Sequence, residues 1–273
     1  MKRRKVIHEI QVVILLIVAA IVLVPYLWMI ATSFKTSKDY LMNSASLWPS
    51  EWTLNGYIKV FTDSPIASWF LNSVIVTGSV TLIVLFTSSI TGFVFAKYNF
   101  RHKEIWFGLI LATMMVPTQV TMIPNFLIVL NLGLYNKLAA LIVPQMVRMF
   151  GIFLCRSAIE DIPDSLCDAA KIDGASDFMI YWKIILPNLK ATLSSLAIFT
   201  ALAMWNDYLN PLIMLNDVEN MTLPIAMNYF ANQYVADMSA TMAAATSMTV
   251  PMIILFLIFQ KQFIKGSTLS GIK

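Results

Sequence analysis

Apolar residues in this chain gather into six long runs separated by shorter polar stretches, and that alternation decides the first structural reading. A helix needs about 20 predominantly apolar residues to cross a bilayer. The runs are Val12 to Ile30, Ser73 to Phe95, Ile105 to Ile128, Ala139 to Ser157, Thr192 to Leu215 and Ala240 to Phe259. Each predicts a transmembrane helix, so the expected fold is all-α, a polytopic membrane protein with six spans. Between the fourth and fifth runs lies a dense charged stretch, Asp164 to Pro187, reading D-S-L-C-D-A-A-K-I-D-G-A-S-D-F-M-I-Y-W-K-I-I-L-P. A membrane protein that holds such a loop between two spans presents it to something.

Composition agrees with the pattern. Of the 273 residues, 58% are hydrophobic and 12% charged, against roughly a quarter charged in a soluble domain. The positions of Lys and Arg then give an orientation, because cytoplasmic loops carry the excess. Lys2, Arg3, Arg4 and Lys5 precede the first run; Lys97, Arg101 and Lys103 follow the second; Arg156, Lys171, Lys183 and Lys190 lie around the charged loop; Lys261, Lys265 and Lys273 end the chain. The alternate loops hold only Lys35, Lys38, Lys59 and Lys137. Both termini are therefore expected in the cytoplasm. The net charge of +4 reflects topology. No basic patch is interleaved with stacking aromatics, which argues against nucleic acid.

Local signals refine the outline. The first apolar run exceeds the 7 to 15 residues of a signal-peptide core, and reads as a retained signal anchor. Cys155 and Cys167 fall on the cytoplasmic side, where thiols stay reduced, so neither a disulfide nor a metal site is expected. Lys35 to Ala67 reads as an outer loop with an interfacial helix over Leu54 to Phe61. The short stretch Asn131 to Lys137 predicts a tight outer turn between the third and fourth spans. Pro117, Pro124, Pro144, Pro211 and Pro251 fall in or near spans, where each removes a backbone donor. That means either ordinary bending or broken helices that shape a pathway.

Some polar groups lie inside the runs. Ser73, Thr77, Thr81 and Ser88 form a stripe along the second run, and Ser239, Ala243 and Ser247 another along the last. Small residues allow close helix packing; hydroxyls could also line a translocation pathway, and Ser73, Thr77 and Thr81 are candidates for that. Arg148 lies mid-run, and a charge there should face protein or water rather than lipid. It would line the pathway or meet a partner subunit. Asp207, nearer the outer end of its run, suits a structural role. The 17 methionines suit packing better than soft-metal binding.

The sequence offers no energy source of its own. The nearest approach to a phosphate-binding G-x-x-x-x-G-K-[ST] loop is Gly266 to Lys273, which has Ile272 in place of the lysine. His8 and His102, the two histidines, have no ligand cluster around them, and no nucleophile constellation is present. The charged loop supplies an alternative. Pro163 can start a helix, Ser165 with Asp168 fits a capping box, and Leu166, Ala169, Ala170 and Ile172 give an apolar side. Asp173-Gly174 breaks the helix, and a second amphipathic segment from Ala175 to Leu186 stops at Pro187. Two short helices joined by a glycine turn make a compact knob.

The sequence D-A-A-K-I-D-G-A-S-D-F-M-I-Y-W-K-I-I-L-P resembles the EAA loop of ABC importer permeases, E-A-A followed by x-x-D-G-A and a distal I-x-L-P. Asp168 stands where that family usually has Glu, one methylene longer. Further motifs, Met114-Met115-Val116-Pro117, Ile123-Pro124, Leu132-Gly133-Leu134, Gly151-Ile152-Phe153-Leu154, Trp205-Asn206-Asp207 and the terminal Ser270-Gly271-Ile272-Lys273, are similar to the carbohydrate-uptake branch, the second permease of maltose-type systems. The resemblance implies a type I ABC importer permease fold in a bacterial inner membrane. It divides the chain into 1–67 (tail, first span, outer loop), 68–260 (permease core with its EAA loop at 158–190) and 261–273 (cytoplasmic tail). It implies a heterodimer with a second permease, two ATPase subunits that hold ATP and Mg, and an extracytoplasmic solute-binding protein. Leu166, Asp168, Ala169, Ala170, Asp173, Gly174 and Ala175 would then couple to the ATPase, with no cofactor in this chain.

A sugar or oligosaccharide is the substrate that the resemblance implies. Few charges in the spans suit a neutral solute; the alternative within the fold is an importer for another small solute, such as a polyamine or amino acid, and a polyamine would want more intramembrane acids than Asp207. A self-sufficient secondary carrier or channel would need inverted repeats or paired ionisable groups near the midplane, and neither is evident. An integral membrane enzyme lacks a constellation.

Overall fold

The computed structural model describes residues 2–234 and 237–269. Among them the regular elements are helices, without strands. The expected terminal motif Ser270–Lys273 lies outside the described residues. The chain packs as two units, one formed by the residues up to Ala67 with Ala226–Ile253, the other by Ser68–Ile225 and the residues from Ile254 onward.

In the first unit, α1 (Lys2–Ser33) carries the first apolar run and leaves it exposed as far as Leu27. In hydrocarbon such exposure carries no hydrophobic penalty, since lipid tails are as apolar as Leu. After it come α2 (Ser37–Met42) and α3 (Asn55–Asp63), the latter close to the expected interfacial helix. Lys35 is wholly buried, and its ammonium donates to the carbonyls of Asn43 (3.0 Å) and Ser46 (2.6 Å). Asp39 accepts from the backbone N–H (2.8 Å) and the hydroxyl (2.7 Å) of Ser50, which hold its carboxyl below the usual range. Asp237 pairs with Lys59 and accepts from Ser37 (3.1 Å), Ser239 (2.9 Å) and the Ala240 N–H (3.2 Å). Burial alone would raise Asp237; these donors outweigh it and lower it.

The second unit holds most of α4 (Ile66–Lys97), then α5 (Lys103–Thr113), α6 (Thr118–Asn131), α7 (Ala139–Ile142) continued by a 3-10 turn, α8 (Met149–Glu160), α9 (Asp164–Ile172), α10 (Asp177–Ile180), a π-helical segment at Tyr181–Ile185, α11 (Leu186–Asn188), α12 (Lys190–Trp205) and α13 (Leu209–Met214). The last described helices, α14 (Leu223–Gln233) and α15 (Met238–Leu269), each contribute residues to both units. Val76, Val80 and Val84 share one face of α4 by their spacing of four. They are buried in one cluster with Cys155, Ile159, Ile180, Ile185 and Leu196.

The helices are less regular than six straight spans. Among the described residues two, Glu9–Ser33 and Ile66–Lys97, are singly long and apolar enough to cross a membrane. Three bent pairs raise the count to five if each is one span: α5 with α6 at 97°, Ala139–Gln145 with α8 at 42°, and Asp177–Asn188 with α12 at 77°. The expected third run is thus broken. Pro117, with its φ fixed, stands in extended conformation before α6 (ψ 134°). In the fourth run Pro144 sits in the 3-10 turn and Arg148 is extended (φ −120°, ψ 120°). The fifth run stops at Trp205 and resumes at Leu209; Asp207 bridges the gap by accepting from the backbone and side chain of Asn210 (3.3 and 2.8 Å). The sixth run lies within α15, with Pro251 inside it.

Candidate functional site

The charged loop folds as two short helices around a glycine turn. Helix α9 starts at Asp164 directly after Pro163, which stands at its N-cap without a side-chain cap. The expected capping box from Ser165 does not form, because the helix begins before Ser165 and places that residue inside the first turn. At the other end the Ala175 N–H donates to the Ala170 carbonyl (2.9 Å) and the Gly174 N–H to Lys171 (3.0 Å). These are the paired 6→1 and 5→2 bonds of a Schellman cap, and they require Gly174 in the left-handed region, where its φ is +81°. Ser176 then caps α10, its hydroxyl accepting from the Met179 N–H at 3.3 Å.

Pro187 does not stop the second segment as expected. The helix widens to π geometry at Tyr181–Ile185 and runs on through Asn188, with the Leu186 N–H reaching back to Tyr181. A proline ring clashes with the carbonyl four residues earlier, and the wider turn relieves that clash.

The knob has two faces. Cys167 and Ile180 are buried, with Ala170 and Ala175 packed against the same core. On the other face Ile172 is 86% exposed, Phe178 60%, Trp182 53% and Leu166 48%. Asp168, Ala169 and Asp173 are exposed beside them, and Asp168 forms no hydrogen bond or ion pair among the described residues. The seven expected coupling positions therefore fall on α9 and the turn that ends it, with Ala170 and Ala175 packed against the core.

Residues that sequence reasoning passed over hold the knob in place. Lys97 donates to the Ile162 carbonyl (2.5 Å) and to Asp164 (2.6 Å). That ammonium holds the Asp164 carboxyl below its usual range. Burial, together with Asp177 beside it, pushes Tyr98 up to about 12. Phe93 packs against both Tyr98 (5.5 Å) and Tyr181 (5.8 Å). On α8, Arg156 reaches Glu104 (2.8 Å) and Glu160 (2.7 Å) and lies over the Phe107 ring at 3.9 Å.

The candidate pathway residues are three on α4 and one at the break before α8. The Ser73 hydroxyl accepts from the Leu223 N–H at 2.8 Å in a buried position. Thr77 and Thr81 have buried hydroxyls without a hydrogen-bond partner among the described residues. Arg148 stands at the break before α8, half-buried, donating to Gln145 at 2.9 Å and lying 3.9 Å from the Met204 sulfur.

Comparison with known proteins gives a consistent result. The family profile described as "Binding-protein-dependent transport system inner membrane component" matches residues 88–267. The arabinooligosaccharides transport system permease protein AraQ of Halalkalibacterium halodurans is 34% identical over 259 residues, which are 94% of this chain and 93% of that protein. The diacetylchitobiose uptake system permease protein NgcG of Streptomyces coelicolor is 30% identical, covering 94% of this chain and 86% of that protein. The lactose transport system permease protein LacG of Rhizobium radiobacter is 28% identical, covering 97% and 96%. A crystal structure of a bacterial ABC transporter involved in the import of the acidic polysaccharide alginate contains a chain of the same fold. It superposes with a TM-score of 0.85 at 22% identity, covering 96% of this chain and 98% of that one.

Proposed function

The chain belongs to the family of binding-protein-dependent transport system inner membrane components, and from that premise we propose that it is the permease subunit of an ATP-driven importer for a sugar or oligosaccharide. The observation that carries the mechanism is the knob. A left-handed glycine turn presents Leu166, Ile172, Phe178 and Trp182 outward, an apolar surface bordered by carboxylates, and such a surface suits docking to another protein. Relatives named for arabinooligosaccharides, diacetylchitobiose and lactose support a sugar as cargo.

In this reading the bent pairs and α15 complete six spans, with both termini and the knob in the cytoplasm. The permease core, 68–260, pairs with a second permease; residues 1–67 and the tail 261–273 flank it. Two ATPase subunits bind the knobs and hold ATP and Mg; an extracytoplasmic binding protein delivers the sugar. ATP binding draws the knobs together, the spans rock, and the cavity changes its side of access. A ligand shifts such an equilibrium only by its differential affinity for the two states, so closure of the ATPase must favour one arrangement of the knobs. Arg148 and the hydroxyls of Ser73, Thr77 and Thr81 remain candidates for the pathway wall.

The test is uptake of labelled arabinotriose, diacetylchitobiose and lactose by cells carrying the complete importer, with and without this chain. Uptake that depends on the chain and on ATP supports the reading. Equal uptake of all three in its absence, or uptake that survives loss of the ATPase subunits, overturns it.

A further inference from the structure

A knob that transmits force has to be fixed to a membrane helix, and α4 ends in Lys97, which holds it. Lys97 bonds both the Ile162 carbonyl and Asp164, and Asp164 is the first residue of α9. Tyr98, the next residue, lines one cavity with Asp177, the first residue of α10. Lys97 thus holds α9 at its N-terminal carboxylate, while the Tyr98 ring packs beside the start of α10. The ammonium of Lys171 lies 6.0 Å from the Tyr98 ring centroid, and Phe93 touches the rings of Tyr98 and Tyr181 from α4.

The ion pair is asymmetric. The Lys97 side chain is 8% exposed and that of Asp164 79%. A buried ammonium that loses its partner is left uncompensated, so Lys97 has much to lose by release and Asp164 little. Asp164 is therefore drawn to a fixed point on α4.

We propose that Lys97, with the Tyr98 ring packed beside it, is a clasp that makes α4 and the knob a single lever, and that Lys97 is a positioning residue for coupling. The proposal rests on the permease reading above and adds the joint through which force passes. Its consequence is that the distance from mid-α4 to the knob stays constant through the ATP cycle.

Spin labels at Leu82→Cys and Ser165→Cys, both exposed positions and neither in the docking face, test this in the complete importer with Cys155 and Cys167 replaced by alanine. With the clasp intact the label separation should be the same with and without ATP. In Lys97→Met it should broaden on ATP addition, and sugar moved per ATP should fall by about tenfold, the size of an ordinary coupling free energy between sites. Lys97→Arg should restore both. A merely structural lysine would lower transport and ATPase together and leave their ratio alone, and that result overturns the proposal. So does a separation that changes with ATP while Lys97 is present, or a Lys97→Met importer with normal separation and normal sugar per ATP. Failure of the sugar reading looks different: ATP is hydrolysed without movement of arabinotriose, diacetylchitobiose or lactose, while the label separation still reports the clasp.

Discussion

Gly174 is the residue on which the knob turns. Its φ is +81°, and a Cβ built there meets nothing within 4 Å. Steric room is therefore available, and the whole cost of a side chain is conformational. The left-handed region costs an L-residue about 1–2 kcal/mol, and a β-branched residue tolerates it worst. Gly174→Val should remove the Schellman cap, misdirect α10 and abolish uptake, while Gly174→Asn, which tolerates the left-handed region, should keep much of it. Membrane insertion of both variants, measured by cell fractionation, should match that of the unmodified chain. Near-normal uptake by Gly174→Val would remove the turn from the mechanism. The D-G pair made this turn legible in the sequence. Lys97 and Asp164 were not legible as a pair, because they lie 67 residues apart and no local pattern links a lysine at a helix end to one acid among several.

At the scale of elements, hydropathy located the apolar runs but not their breaks, since averaging over a span hides a three-residue interruption. Proline supplied part of the missing signal: Pro117 and Pro144 mark two of the breaks, yet Pro187 sits in a helix that widens around it. The crossing of α4 and α8 was likewise hidden among ordinary small residues. A Cβ at Gly92 would fall 2.8 Å from the Arg156 backbone nitrogen and 2.8 Å from the Cys155 Cβ; one at Gly151 would fall 2.3 Å from the Ser88 hydroxyl. Backbone contacts cannot yield as a flexible side chain can. Overpacking of this kind typically costs about 1–3 kcal/mol, so Gly92→Val should lower the unfolding temperature of the solubilised chain. Gly108, on α5, has open space around its Cβ position, and Gly108→Ala should hold or raise that temperature because Ala is the better helix former. Equal melting of the two variants would show that the crossing tolerates separation. Arg156, held to Glu104 and Glu160, ties α5 to this same crossing at the end where the knob projects.

At the scale of the whole molecule, the charge pattern makes a prediction about sidedness. Fourteen of the 19 Lys and Arg residues fall in alternate loops that include the knob, and loops rich in Lys and Arg remain in the cytoplasm. The stretch from Lys35 to Ala67 falls on the other side, where Trp48 and Trp52 are exposed as side chains at a membrane interface are. Single cysteines separate the two faces. Ser44→Cys, in an exposed segment, should react with an impermeant maleimide in intact cells, and Ile172→Cys should react only after the membrane is opened. The native thiols add little background, since Cys155 and Cys167 are both buried, and burial raises Cys167, which keeps it in the unreactive thiol form. Labelling of Ile172→Cys from outside would invert the topology, put the apolar face of the knob beyond the reach of any cytoplasmic ATPase, and leave the import mechanism without its drive.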